Sequence, residues 1–392
     1  MRVLIATVTA GGGHVAAAAA LEEAWQTLHP SDTVERVDLI KFFSPIHKKI
    51  YSDGYVQLVE RAPELWGMLF GKTDNPKVVR RLSRLSRLFP SNSRKKFANY
   101  IRHFRPDVAL CTHYAPLEVL NLLRTKTLAA VYDRRKRTPF ERTTLTERGN
   151  AHPFVVSIVT DFEAHALWMN ACVDLYCVAA EETKARLVAR GAAANSVAAT
   201  GIPIAAKFLS KPDPQAVRKS LGLRDDQPVL LVLSGGFGMG PVAEILMELD
   251  KMPRHLQTVV VTGRNEELRR KLAAQVHNHP THILGFVTNM HELMAVADLI
   301  LTKPGGLTTS EALSLGKPLF ILNPIPGQEA ANSDFLLEHG AAAKVNRVED
   351  LPYRIEQLLG SRKLAAMTKA ARALGRPTAA IDVCRETLKR FL

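Results

Sequence analysis

Two Rossmann-like α/β domains facing a cleft are the fold that this 392-residue sequence predicts, on three observations. Six short apolar strand patterns alternate with helical patterns up to Thr200, and six more do so between Val229 and Val345. Such alternation implies mainly parallel sheets covered by helices. Glycine-rich turns end a strand pattern and open a helix at Gly11-Gly-Gly13, from Gly235 to Gly240 and at Gly305-Gly306. A proline-rich stretch from Gly201 to Pro214 separates the two series and reads as the linker.

Taken in order, Val3-Leu-Ile-Ala-Thr-Val-Thr9 is a buried strand, the three glycines are a turn, and an alanine-rich helix runs from about Ala16 to Leu28. Further strands are expected at Val34–Leu39, Asp107–Thr112, Phe154–Thr160, Leu175–Val178 and Val197–Thr200. The second series gives Val229–Leu233, Thr258–Thr262, His282–Phe286, Leu299–Thr302, Pro318–Leu322 and Ala342–Val345. Domains are expected over residues 1–205 and 206–376, with a separate helix over 377–392.

A chain that is 46% hydrophobic and 23% charged is globular, which excludes disorder and collagen. No stretch reaches the roughly 18 apolar residues of a membrane span, and Val3–Val8 is too short for a signal-peptide core. The expected compartment is therefore the cytosol. Cys111, Cys172, Cys177 and Cys384 form no Cys-x-x-Cys pair and read as reduced packing residues, so no metal site is expected. The net charge of +14 points to an anionic partner. Residues 1–150 carry 25 basic and 14 acidic residues, so the basic character belongs to the first domain.

The turn Thr9-Ala-Gly-Gly-Gly-His14 lets backbone approach a ligand at a helix N-terminus, but no acidic residue follows where a dinucleotide ribose would need one. His14 is its unusual member: at the carboxyl edge of the first strand, a side chain of near-neutral pKa suits proton abstraction from a hydroxyl. Asp161, at the end of the Phe154 strand, is the second candidate base. In the second domain, Ser234, Gly235 and Gly236 begin a turn whose amides can cradle phosphate, and the missing Gly-Lys-Ser/Thr ending disfavours ATP hydrolysis. Gly305 and Gly306 precede a helix able to hold a second phosphate, with Thr308 as hydroxyl donor. Glu311 lies further along that helix, where a carboxylate can accept both hydroxyls of a ribose. Gln328 and Glu329 open another helix and offer the partners that sugar hydroxyls need.

These blocks resemble glycosyltransferase family 28, in its diacylglycerol glycosyltransferase branch, over nearly the whole chain. The matching stretches are Gly11-Gly-Gly-His14, Val159-Thr-Asp-Phe162 with His165 and Trp168, Thr200-Gly-Ile-Pro-Ile204, Thr302-Lys-Pro-Gly-Gly306 with Glu311, and Pro326-Gly-Gln-Glu329 with Asn332. The resemblance implies the GT-B glycosyltransferase fold, lipid acceptor bound by the first domain, UDP-sugar by the second, and a last helix returning to the first domain. It also implies an inverting reaction without a metal or other cofactor, with the Phe286-Val287 backbone holding uracil and Gln328, Glu329 and Asn332 holding the sugar. Val15 after the histidine is similar to the bacterial glucosyl branch, whereas plant galactolipid synthases carry a basic residue there. Glucose is therefore favoured over galactose. Residues 131–151, with Arg134-Arg-Lys-Arg137, look like an insertion.

Lys72 to Arg105 holds eleven Lys or Arg and one acid, Asp74. On a helical wheel Val78, Leu82, Leu85 and Phe89 share a face opposite Arg80, Arg84 and Arg87, the composition of an interfacial helix on an anionic membrane surface. Few aromatics interleave with these charges, so nucleic acid is not expected. The expectation is a peripheral enzyme of the cytoplasmic membrane face, moving a hexose from a UDP-sugar to diacylglycerol. Its rivals are a polyprenol-linked N-acetylglucosaminyltransferase of peptidoglycan synthesis, a UDP-sugar 2-epimerase and a basic RNA-binding module.

Overall fold

The computed structural model describes residues 1–9, 11–45, 47–48, 62–75, 78, 91–137, 152–210, 212–235, 240–253, 255–322 and 324–392. The chain divides into two compact units, Met1–Ala205 with Ala379–Leu392, and Ala206–Thr378. Gly236, Arg80, Leu82, Arg84, Leu85, Arg87 and Phe89, and residues 138–151 of the expected insertion, lie outside the described residues.

The first unit is built on β1 (Arg2–Thr7), β2 (Thr33–Asp38), β3 (Val108–Cys111), β4 (Phe154–Ile158), β5 (Leu175–Val178) and β6 (Val197–Ala199). They form one parallel sheet in the order β2-β1-β3-β4-β5-β6. The helices are α1 (Gly12–Leu28), α2 (Pro63–Thr73), α3 (Ser91–Phe104), α4 (Tyr114–Arg137), α5 (Glu181–Ala189) and, after the second unit, Ala379–Phe391. The central strands are apolar without alternation because helices cover both faces: all four residues of β3 and of β5 are buried. On one face, Ala18, Leu21 and Trp25 of α1 pack with Ala380, Val383 and Cys384 of Ala379–Phe391. Four buried alanines on α1 (Ala17, Ala18, Ala20 and Ala24) leave room for that second helix to approach closely. All four cysteines are buried free thiols.

The second unit runs α6 (Pro214–Leu221), β7 (Val229–Leu233), α7 (Val242–Leu249), β8 (Gln257–Val261), α8 (Glu266–Ala273), β9 (Thr281–Leu284) and α9 (Met290–Val296). It continues with β10 (Leu299–Thr302), α10 (Gly306–Ser314), β11 (Leu319–Leu322), α11 (Gln328–Glu338), β12 (Ala342–Val345), α12 (Leu351–Leu358) and α13 (Arg362–Leu374); Ala379–Phe391 is α14. Its parallel sheet has the order β12-β11-β10-β7-β8-β9. Chain direction around each sheet reverses between two adjacent strands, β1 and β3 in the first unit and β7 and β10 in the second. Just beyond the carboxyl ends of such a pair the loops part, and there α/β sheets hold their ligands.

Candidate functional site

In the first unit, the β1–β3 crevice holds His14. Gly11 makes the turn from β1 at φ 100°, a backbone conformation that costs a side chain but not glycine. The helix then starts at Gly12 rather than near Ala16, which places His14 inside its first turn. The loop end of β3 grips this residue at two points: His14 Nδ1 lies 2.8 Å from the Thr112 carbonyl oxygen, and Thr112 Oγ1 donates to the His14 carbonyl at 2.9 Å. A carbonyl only accepts, so Nδ1 carries the ring proton and Nε2 keeps its lone pair. Thr160 Oγ1, beyond β4, also lies 2.9 Å from Nδ1. Burial lowers the His14 pKa to about 4, partly offset by the Thr112 bond, so the expected near-neutral value is corrected: the ring is an uncharged base at pH 7. The positive end of α1 disfavours the imidazolium further. Asp161 is half-buried in the turn after β4, directly following Thr160.

Two aromatic rings flank this histidine, and a third packs on both of them. His113 meets it edge to face, with ring centroids 4.8 Å apart, and Trp168 stands 6.3 Å away. Tyr114 lies 4.2 Å from His113 and 6.1 Å from Trp168. Beyond Trp168, the His165 ring lies tilted against Phe70 of α2, centroids 4.4 Å apart, and donates from Nε2 to the Phe70 carbonyl, since its Nδ1 accepts Leu167 N–H. Asp74, next to α2, accepts from Ala166 N–H and from Arg186 and Arg190. Burial alone would raise the Asp74 pKa, but the Arg190 bond and its other partners bring it below the ordinary value. The single acid of the basic 72–105 segment is thus already neutralised from α5. Helix α2 itself buries none of its residues, and Leu65, Met68 and Leu69 are exposed.

In the second unit, the β7–β10 crevice gathers the glycine turns. Gly235 has φ +74° and open space where a Cβ would be; Gly305 ahead of α10 has the open space with an ordinary extended backbone. Lys303, at the end of β10, lines one pocket with Ser234, Gly240 and Pro241, and its Cε lies 3.9 Å from where a Gly240 Cβ would stand. Thr308 is partly buried in the first turn of α10. Glu311, one turn on, has its carboxyl pushed up to about 7 by burial, against the pull of Lys207. Lys207 donates to the Thr288 carbonyl at 2.7 Å, tying the segment before α6 to the loop that carries Phe286 and Val287. The Phe286 ring is exposed, with the Arg264 guanidinium 5.7 Å from its centroid.

Two expected ligands make hydrogen bonds within the protein. Asn332 is fully buried, and its amide donates to the Pro304 carbonyl at 3.0 Å, a bond that holds the loop before α10. Ser234 is buried, and both its amide and its hydroxyl donate to the Val261 carbonyl, so it offers a phosphate neither donor. Gln328 opens α11 after Gly327 at φ 97°, and beside it Glu329 accepts Ile325 N–H at 2.8 Å. Sequence reasoning missed His113, Lys207 and Lys303. Of these only Lys303 carried a signal, as a charge ending an apolar strand within Thr302-Lys-Pro-Gly-Gly306.

The sequence matches the family described as Monogalactosyldiacylglycerol (MGDG) synthase over residues 14–132 and 139–204, and the glycosyltransferase family 28 C-terminal domain over 231–380. It is 28% identical over 376 residues to a processive diacylglycerol beta-glucosyltransferase of Bacillus pumilus, covering 95% of this chain and 91% of that one. The protein of the same name from Bacillus thuringiensis is 29% identical over 380 residues, covering 96% and 90%. Among solved structures, MurG of Acinetobacter baumannii aligns with a TM-score of 0.58 at 17% identity, over 99% of both chains. A UDP-GlcNAc 2-epimerase from Neisseria meningitidis aligns at 0.60 and 14% identity, over 99% of this chain and 100% of that one. At these identities the two structures share the fold with this chain.

Proposed function

Because the chain belongs to glycosyltransferase family 28, in its diacylglycerol glycosyltransferase branch, we propose that it moves a hexose from a UDP-sugar to the free hydroxyl of diacylglycerol, with inversion at the anomeric carbon and glucose preferred to galactose. The observation that carries this reading is His14: an uncharged imidazole at the β1–β3 crevice, with Nδ1–H committed to Thr112 and Nε2 left basic. The acceptor hydroxyl gives its proton to Nε2 while its oxygen forms the new bond to the anomeric carbon. The bond from that carbon to the diphosphate breaks, and its electron pair leaves on the diphosphate oxygen. Amides at the N-terminus of α10 and the Lys303 ammonium take up this charge, so a metal is not required. Glu311 holds the ribose, the Phe286-Val287 backbone the uracil, and Gln328 and Glu329 the hexose.

Membrane docking at the cytoplasmic face is part of the same proposal. The exposed Leu65, Met68 and Leu69 of α2, one helical stripe, support it, together with the basic run through Arg80, Arg84 and Arg87. The test offers labelled UDP-glucose, UDP-galactose and UDP-N-acetylglucosamine with diacylglycerol vesicles. Label entering the lipid phase from UDP-glucose is the expected result. Transfer only to a polyprenol acceptor, or epimerised nucleotide sugar without any glycolipid, refutes the reading.

A further inference from the structure

His113 is buried at 3% exposure, and the chemistry assigned so far does not use it. It directly precedes α4, and its Nδ1 accepts Ala115 N–H at 3.1 Å, so it caps that helix and carries its own proton on Nε2. Capping does not explain the choice of residue. Asn, Asp, Ser or Thr cap a helix better, and none of them supplies a ring. What the ring adds is contact: it stands at 86° to the His14 ring and 6.4 Å from Trp168, so His14 is walled by two aromatic groups. Desolvation keeps the His14 ring uncharged, and that wall is part of what excludes water.

We propose that His113 is a positioning residue for the transfer reaction, its ring sealing His14 from water while the preceding Thr112 carbonyl fixes the basic tautomer. This rests on the reading of His14 as the base. The titratable groups on the elements meeting here are His113 and Tyr114 from the β3–α4 turn, Asp161, Glu163 and His165 from the chain after β4, and Asp38, which binds Thr9 beyond β1. Removing the ring exchanges a dry neighbour for water, and the His14 pKa moves back towards its ordinary value of 6.5.

Two substitutions separate the wall from the cap. His113→Asn keeps a good capping side chain and opens the wall, whereas His113→Phe keeps the ring volume and loses the cap. Both are read by the pH profile of kcat/KM and by nitrogen NMR of His14, assigned against His14→Ala. In His113→Asn the acid limb rises, so kcat/KM relative to the parent at the same pH falls roughly tenfold between pH 8 and pH 5.5 for a base near 6.5. His113→Phe keeps the parent profile over that range, and at each pH the UDP affinity of both variants equals the parent's. A His14 pKa that does not move in His113→Asn, or that moves equally in His113→Phe, overturns the proposal. Full turnover in His14→Ala overturns the base assignment instead.

Discussion

Replacing Glu311 by glutamine tests the donor site and the fold at once, with effects of opposite sign. Burial holds this carboxyl near 7 against an ordinary 4.5, and at about 1.4 kcal/mol per pH unit its ionisation costs the empty protein at most about 3 kcal/mol. The folded state binds the proton more tightly than the unfolded one, so stability falls as pH rises from 4.5 to 7 and levels off above. Glu311→Gln removes that cost. The variant melts several degrees higher than the parent at pH 8, at roughly 2–4 °C for each kcal/mol, and the difference narrows as pH falls towards 4.5. UDP binding goes the other way, because the ribose hydroxyls need the ionised acceptor. Parent affinity is roughly thirtyfold weaker at pH 5.5 than at pH 8, and Glu311→Gln loses about 1.5–3 kcal/mol at pH 8 together with the pH dependence. Scanning calorimetry and titration calorimetry with UDP read the two effects. A variant no more stable than the parent at pH 8 refutes the desolvation argument, and parent affinity independent of pH removes Glu311 from the ribose.

Turnover in His14→Ala falls by about 100-fold or more, the scale of a positioned general base, while UDP affinity measured by calorimetry stays at the parent value. Lys303→Met weakens UDP but leaves uridine binding as it was; equal losses for both ligands would show that Lys303 acts on something other than the diphosphate. Activity persists in EDTA, and a complete loss restored by magnesium would refute the assignment of the leaving charge to α10 and Lys303. Substituting Arg80, Arg84 and Arg87 by Glu releases the protein from anionic vesicles in sedimentation at low salt without altering UDP affinity. Unchanged sedimentation, or equal binding to neutral vesicles, would place the membrane contact elsewhere.

Strands were the most legible feature, since the chain spells each buried strand as an apolar run. The bounds of β5, β7, β10 and β12 coincide with their sequence patterns, and β1 and β4 each stop two residues early. Thr9 and Thr160 look like strand residues but lie past the pairing of their ladders. Gly12 and Gly13 read as turn because glycine favours turns, yet Gly11 alone makes the reversal and the other two open α1. The crevice residues were legible by type, and their aim was not. Asn332 and Ser234 turn inward because the Pro304 and Val261 carbonyls, 28 and 27 residues away in sequence, need donors. His113 and Lys207 belong to no motif; their roles come from partners that only the folded sheet brings near.

The return of α14 to the first unit has a consequence for synthesis. In sequence the second unit is an insertion: residues 206–378 interrupt a domain whose remaining piece is Ala379–Leu392. On the ribosome, the face of α1 around Leu21 and Trp25 therefore stays uncovered while the whole inserted unit is made, and Val383 and Cys384 reach it only afterwards. Translation stopped before Ala379 would leave an apolar strip open on an otherwise folded product, a substrate for chaperones and proteases. The first unit is thereby completed only in molecules that already carry the second, so a nascent chain matures with both or with neither.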